Sequence, residues 1–325
     1  MLIIKVESSK VAGVDPVHRM GALAGELIKN TEVVFLCRKA DSFANKYLTE
    51  KGFNVISYAE GEHNDIIRNY IGATIIIDSR EKVGKFDENC RTLLHKIIYV
   101  TEDLKRSYRA DLVINPTAGA NSRDHMTIGN CEKWTGTDYT IIRQEYLDKP
   151  VMRINENVKN VLIVLGEVQS NTITRQVIDY AKKMEFNFKI VLDNEIKQRD
   201  QILLKCGASN ITFHSPDEIE TLVDDCDVTI CGGLNLIYEL GAIGMPVIFV
   251  VLTREKVTLG KHLLKDNLSE AIGIVGIVEA SEIMKNLTRL ALNYDKRLTL
   301  QKSMINEFRK HSTERLALDI TKFIK

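Results

Sequence analysis

Short apolar runs alternate with longer stretches of helical period along almost the whole chain. In the first half the runs are "LIIKV" (2–6), "EVVFLC" (32–37), "ATIIID" (73–78), "KIIYV" (96–100) and "DLVIN" (111–115), and helical stretches at 17–29, 41–51 and 63–71 lie between the early ones. The pattern then restarts. "VLIVL" (161–165), "FKIVL" (188–192), "NITF" (210–213), "DVTIC" (227–231) and "PVIFVV" (246–251) read as strands, separated by helical patterns near 171–184, 195–206, 216–224 and 235–243. Residues 257–266, 279–292 and 294–324 read as helix again. Strands that are apolar at nearly every position have both faces covered, and the amphipathic segments between them supply that cover, which makes the sheets parallel. The expected fold is α/β: two Rossmann-like, doubly wound parallel-sheet domains facing a cleft, the default ligand site of such a pair. The polar, proline-containing stretch "YLDKPVMRINENVK" (146–159) is the expected linker, giving domains at 1–150 and 151–325.

Composition narrows the function classes. The 325 residues suit two cores, at about 150 residues each, and 44% hydrophobic with 27% charged residues is a globular balance. Lys plus Arg number 44 and Asp plus Glu 44, so no basic field exists to hold a nucleic-acid backbone, and that partner is not expected. The longest apolar stretch, "MPVIFVVL" (245–252), is too short to span a bilayer. The N-terminus lacks a signal-peptide layout, and the six cysteines form no CxxC pair, so reduced thiols and a cytoplasmic location are expected. No cluster of ligands has metal spacing, so neither a metal nor a cofactor is expected.

Candidate chemistry concentrates in "DCDVTICGGLNLIYELGAIGMPVIFV" (225–250). A buried strand ends in Gly232-Gly233 and a helix starts at once. Glycines there let a ligand approach the backbone, and the helix start offers free N–H groups to a phosphate. Glu239 follows one to two turns on, within reach of a sugar diol. The bland alternative is a tight strand-to-helix turn and a solvated glutamate.

Glycine, five residues, Glu-Leu, two residues and Gly-x-Pro before a strand resembles the nucleotide-sugar site of B-type glycosyltransferase folds. Within that group the chain is most similar to the UDP-sugar hydrolases of pseudaminic acid biosynthesis and their spore-coat polysaccharide relatives. "GVDPVHRMGALAGEL" (13–27) resembles that family's GxGHxxRxxALAxxL, keeping Gly13, Arg19, Ala22, Leu23, Ala24 and Leu27. "IIIDS" (75–79), "VTEDL…ADLVINP" (100–116), "GTDYTIIRQEY" (136–146) and "VLIVLGEVQSN" (161–171) resemble further family segments in the same order, so the likeness spans nearly the whole chain. The resemblance implies nucleotide contacts from Gly166, Phe213, Gly233, Leu234, Asn235 and Glu239. It implies sugar contacts from Gly13, Arg19, Asp78, Tyr139 and Arg143.

The departures from the family fall on its reaction machinery. Its catalytic histidine corresponds to Pro16, the glycine before it to Asp15, and its Asn-Gln pair after the strand at 246–251 to "REK" (254–256). Glu167 and Gln169 replace a glycine and an aspartate. Asp15 followed by Pro16 makes an efficient helix start, an aspartate cap with proline at the first helical position. Asp15 is alternatively the general base of a transfer at an anomeric carbon, and His18 is a second candidate catalytic group. His214 and Phe213 end a strand where the family fold places the nucleotide base, while Asn171 and Thr172 are first of all a helix cap. The expected ligand is a UDP-linked amino or deoxy sugar, cleaved or transferred at its anomeric carbon in surface-sugar biosynthesis. The alternative is a silent homologue that binds the nucleotide sugar or supports a partner enzyme. A nicotinamide-dependent oxidoreductase is disfavoured because no GxGxxG follows the first strand.

Overall fold

The apolar runs of the first half become the inner strands of a seven-stranded parallel sheet. Its strands are β1 (Leu2–Val6), β2 (Val33–Arg38), β3 (Asn54–Tyr58), β4 (Thr74–Asp78), β5 (Lys96–Val100), β7 (Leu112–Asn115) and β9 (Glu132–Thr135), in the order β3-β2-β1-β4-β5-β7-β9. Two short strands, β6 (Ser107–Tyr108) and β8 (Met126–Thr127), pair with each other. Helices α1 (Asp15–Leu27), α2 (Ser42–Glu50) and α3 (His63–Arg68) follow the first three strands. A computed structural model describes residues 1–8, 13–79, 91–104, 106–166, 171–192, 206–273, 278–309 and 313–325.

Alternate residues of β1 serve opposite faces of this sheet, as the two-residue strand period requires. Leu2, Ile4 and Val6 meet Val17, Met20, Leu23, Ala24 and Leu27 of α1, whereas Ile3 joins Ile75, Ile77 and Tyr99 on the other side. Both faces are therefore covered, as the unbroken apolar runs predict.

The second sheet holds β10 (Asn160–Val164), β11 (Asn187–Val191), β12 (Ile211–His214), β13 (Val228–Cys231), β14 (Val247–Val250) and β15 (Glu270–Ile272), in the order β12-β11-β10-β13-β14-β15. Its helices are α4 (Gln144–Leu147), α5 (Asn171–Ala181), α6 (Ile219–Leu222), α7 (Leu234–Ala242), α8 (Val257–Lys265), α9 (Ala280–Leu292) and α10 (Tyr294–Phe308). The helical pattern expected near 195–206 falls almost wholly outside the described residues. The one expected at 216–224 is broken, with 3-10 turns at Pro216–Glu218 and Val223–Asp225 flanking α6.

The chain divides into two compact units, Met1–Arg143 with His311–Lys325, and Gln144–Lys310. This moves the expected boundary at 150 and splits the helix expected over 294–324. Its last part, α11 (Thr313–Phe323), belongs to the first unit. Leu316, Ala317 and Ile320 of α11 enter the core beside α1. The Thr313 hydroxyl donates to the Ile142 carbonyl at 2.7 Å and accepts the Ile142 N–H at 3.0 Å. At the far end Lys96 Nζ donates to the Phe323 carbonyl at 2.5 Å.

The stretch 146–159 is not a free linker but part of the second unit. Met152 N–H donates to the Ile243 carbonyl at 2.9 Å. Asp227 accepts from Asn155 Nδ2 (2.7 Å), Lys159 N (2.8 Å) and Asn160 N (2.9 Å). Arg297, only 1% exposed, donates to the carbonyls of Leu290 (2.9 Å), Ala291, Asn155 (2.8 Å) and Glu156 (2.8 Å). Burial lowers the pKa of this guanidinium, with Asp227 opposing the shift.

One polar atom in the middle of the second sheet has no such partner. Thr229 on β13 is 0% exposed and its hydroxyl makes no hydrogen bond. An unmet buried hydroxyl is costly, while an apolar group of the same shape is not. Thr229→Val is therefore expected to raise stability by about 1 kcal/mol. Urea unfolding checks this: a midpoint that drops would mean the hydroxyl is bonded.

Candidate functional site

In an open parallel sheet, ligands bind at the carboxyl ends of the strands where the strand order reverses. In the second unit that point lies between β10 and β13, so the ends Val164–Gly166 and Cys231–Gly233 stand side by side. Gly166 has φ +77°, a conformation glycine adopts without strain. Gly232 and Gly233 are glycine for different reasons. A Cβ on Gly232 would stand 2.8 Å from the Leu165 carbonyl oxygen and 2.7 Å from Leu252 Cδ1, so strand-end packing demands the glycine. Gly233 is extended, and among the described residues a Cβ there would meet only Leu236, at 3.7 Å. Among the described residues, packing does not account for Gly233.

Gly233 is the N-cap of α7, whose backbone starts at Leu234. Asn235 in the first turn is 4% exposed, and its amide has no hydrogen-bond partner among the described residues. Glu239 is 2% exposed. Lys256, in the 3-10 turn Arg254–Lys256 after β14, reaches back so that Nζ donates to the Gly232 carbonyl at 2.5 Å. It has no carboxylate partner among the described residues. A lysine cation thus joins the positive end of a helix dipole, with no carboxylate paired to it among the described residues. The sequence places Lys256 only as a departure from the family pair, and nothing local signals its reach across 24 positions.

Phe213 lies outside this cluster. It is the penultimate residue of β12, two strand spacings from β10, about 10 Å, and its ring packs partly on the core. His214 is committed locally, its ring 2.8 Å from the Thr212 hydroxyl and 2.9 Å from Glu218. That hydrogen bond, followed by those from Ser215, holds the Glu218 carboxyl down at about 2.

In the first unit the order reverses between β1 and β4. The strand ends there carry Glu7, Asp78 and Ser79, with Glu102 after the adjacent β5. Arg19 of α1 grips Asp78 with two hydrogen bonds, Nε to Oδ2 at 2.5 Å and Nη2 to Oδ1 at 2.7 Å, and reaches Glu102 Oε1 with Nη1 at 2.7 Å. Arg19 and Asp78 are 6% and 4% exposed. Burial alone would lower the Arg19 pKa, but the two carboxylates more than reverse it, so the net shift is upward. The two residues expected on the sugar therefore hold each other. Glu7, which the sequence analysis passed over, accepts from the Ser79 hydroxyl at 2.6 Å and lies 3.8 Å from Arg38.

Asp15 is not the cap of α1. Gly13, at φ +63°, turns the chain one residue early. Val14 becomes the N-cap, its carbonyl accepting from Val17 N and His18 N at 3.0 and 3.1 Å. Asp15 is then the first helical residue, where a carboxylate favours the dipole without capping. The His18 ring packs against Tyr47 and Phe43 of α2, with centroids 4.8 and 5.6 Å away. Tyr139 stacks on Trp134 of β9 at 5.5 Å, three strand spacings from β4, about 14 Å. Arg143 is half-buried at the end of the first unit's main segment. The segment holding Glu167 and Gln169, and the residues before Asn171 that would form its cap, lie outside the described residues. Among the described residues, no three His, Cys, Asp or Glu side chains gather as they would around a metal ion. No helix there is long and apolar enough to cross a membrane.

No protein-family model matches the chain, and no curated protein matches it in sequence. Solved structures do match it in fold. A UDP-glucosyltransferase from Polygonum tinctorium, capable of glucosylating indoxyl and in complex with 3,4-dichloroaniline, aligns with a TM-score of 0.69 at 13% identity, over 99% of this chain and 98% of that one. MurG of Acinetobacter baumannii aligns at 0.61 and 13%, over 99% and 98%. The spinosyn rhamnosyltransferase SpnG, complexed with thymidine diphosphate, aligns at 0.64 and 8%, over 98% and 99%. The chain has the B-type glycosyltransferase fold. At such identities the likeness speaks for fold alone. The three neighbours are named as transferases or as MurG, and the narrower likeness to UDP-sugar hydrolases finds no support in them.

Proposed function

We propose that this protein binds a nucleoside-diphosphate sugar, UDP-linked in the first instance, on the second unit and transfers its glycosyl group to an acceptor. The observation that carries this reading is the pair of unspent groups at the start of α7. Among the described residues, the Asn235 amide has no partner and the Lys256 ammonium no counter-ion, and none of those residues but Leu236 would touch a Cβ on Gly233. A diphosphate would meet two sources of positive potential there: the unpaired N–H groups that make the positive end of the α7 dipole, and Lys256. A leaving nucleoside diphosphate is neutralised by such groups without a metal. Glu239, further along α7, takes the ribose hydroxyls in this reading, and Gly166 lies across from Gly233 to line the phosphates.

For the chemical step, Asp15 is the candidate base in the first unit, and His18, whose ring packs against Phe43 and Tyr47, is the second candidate. Hydrolysis by a family-type histidine has no counterpart where Pro16 stands. A second reading, a homologue that binds nucleotide sugars without turnover, is favoured by one observation. Arg19 and Asp78, two of the expected sugar contacts, are occupied with each other.

Calorimetry with UDP tests the nucleotide site. Losing a hydrogen bond to a charged group costs about 1.5–3 kcal/mol, so Glu239→Ala and Lys256→Ala are each expected to weaken UDP about tenfold or more. The Lys256→Ala loss should shrink for uridine, which carries no phosphate. Unchanged dissociation constants in both variants would remove the site from α7. Mass spectrometry on a panel of nucleotide sugars, with and without acceptors, then separates transfer, hydrolysis and binding without turnover.

A further inference from the structure

The first unit contains a buried histidine whose hydrogen bonds admit only one protonation state. His125 is 2% exposed and sits just before β8. Its Nε2 is 2.9 Å from Asn115 Nδ2, at the end of β7. The orientation of the Asn115 amide is fixed by its other bond, since Oδ1 accepts the Thr117 N–H at 3.0 Å. Asn115 Nδ2 is therefore a donor toward His125, and Nε2 must be the acceptor. The neutral ring then carries its proton on Nδ1, which is buried without a hydrogen-bond partner. A second proton on Nε2 would face the Asn115 NH₂ group, donor against donor. Rotating the amide to satisfy it would turn NH₂ toward the Thr117 N–H instead. Protonation is incompatible with keeping both bonds.

We propose that the Asn115–His125 pair is a proton-operated latch on the segment between β7 and β8: the neutral ring holds the Asn115 turn and the protonated ring releases it. The segment leaves the carboxyl end of β7, the edge of a parallel sheet on which ligands bind. The surroundings favour the neutral ring. Burial is the main influence and Lys133 of β9, whose Nζ donates to the His125 carbonyl at 2.8 Å, is the next, both lowering the pKa from its ordinary value. Asp124, on the same segment, and Asp103, in the loop after β5, oppose them without reversing the shift. The sign follows from linkage. With the folded value below 6.5, the unfolded chain takes the proton first. The latch's stability is full above 6.5 and is lost as pH falls through the window beneath it.

Long-range proton–nitrogen spectra of histidine-labelled full-length protein, recorded from neutral to mildly acid pH, test this. The expected wild-type result is a neutral His125 with its proton on Nδ1, a midpoint below 6.5, and loss of Thr117 amide protection at the same midpoint. His125→Gln should abolish that pH dependence. Asn115→Asp should reverse the sign, because one carboxylate oxygen keeps the Thr117 N–H while the other accepts Nε2–H. Its midpoint should then rise above 6.5, with Thr117 protection surviving acidification through that range. A neutral wild-type ring protonated on Nε2, or Thr117 protection indifferent to the titration, overturns the latch. Should Asn115→Asp fail to fold, the wild-type tautomer and His125→Gln decide.

Discussion

Arg297→Ala is expected to lower the stability of the second unit by about 4–5 kcal/mol, the range reserved for breaking a buried polar network. The arginine is fully buried, and all of its recorded hydrogen bonds run to backbone carbonyls rather than to a carboxylate. Two of those carbonyls, Leu290 and Ala291, lie in the last turn of α9, where C=O groups run short of helical partners, although Leu290 also accepts the Asn293 N–H at 3.2 Å. The other two belong to Asn155 and Glu156, on the stretch that reads from sequence as a linker. Removing the side chain leaves four carbonyls without this donor and a cavity the size of an arginine. Arg297→Lys keeps the charge but replaces a rigid fork with a single ammonium, so it should recover only part of the loss. Denaturant unfolding checks both variants. An Arg297→Ala midpoint within about 0.5 kcal/mol of wild type, the usual scatter for surface changes, would show that the carbonyls find water instead.

How the fold was legible follows from where each strand sits. The inner strands are apolar at nearly every position because both faces are covered. "LIIKV", "VLIVL" and "DVTIC" needed no partner to be read. In the two large sheets, the strands that the apolar pattern does not mark, β3, β9 and β15, are all edges; the two-residue β6 and β8 are too short to show a pattern. β3 exposes Asn54 and Ser57, and β9 reads "EKWT". An edge has one neighbour and partial cover, so its sequence need not be apolar throughout. The helix break before α11 escaped for a different reason. Its apolar positions match a helix on either side, and only the tertiary position of Leu316, Ala317 and Ile320 assigns it to the first unit.

The site was legible where it depends on local chain direction and obscure where it depends on long-range contact. Gly232-Gly233 followed by a helix can be seen in ten residues. Which glycine serves packing depends on Leu165 and Leu252, one just past β10 and one just past β14. Lys256 was visible only as a residue out of pattern. Arg19 was singled out by resemblance, but its partners lie 59 and 83 positions away.

Those partners decide the second large effect. Arg19→Met is expected to destabilise the first unit by about 3–5 kcal/mol, because it takes a two-point cation from the buried Asp78 carboxylate and a hydrogen bond from Glu102. Replacing both members of a buried pair by apolar groups costs far less than breaking it. Arg19→Met with Asp78→Leu should therefore be more stable than Arg19→Met alone. Glu102, with 22% of its side chain exposed, can turn to water in that variant. Arg19→Lys keeps a charge but not the two-point grip, and falls between. Binding separates this structural role from a sugar contact. If Arg19 chiefly holds α1 to the ends of β4 and β5, the folded Arg19→Lys protein should bind UDP and a UDP-sugar in the wild-type ratio. If it holds the sugar, stability should stay near wild type while the affinity for the UDP-sugar drops relative to UDP. A wild-type unfolding midpoint for Arg19→Met would sink the structural account, because a buried carboxylate does not lose a two-point cation without cost.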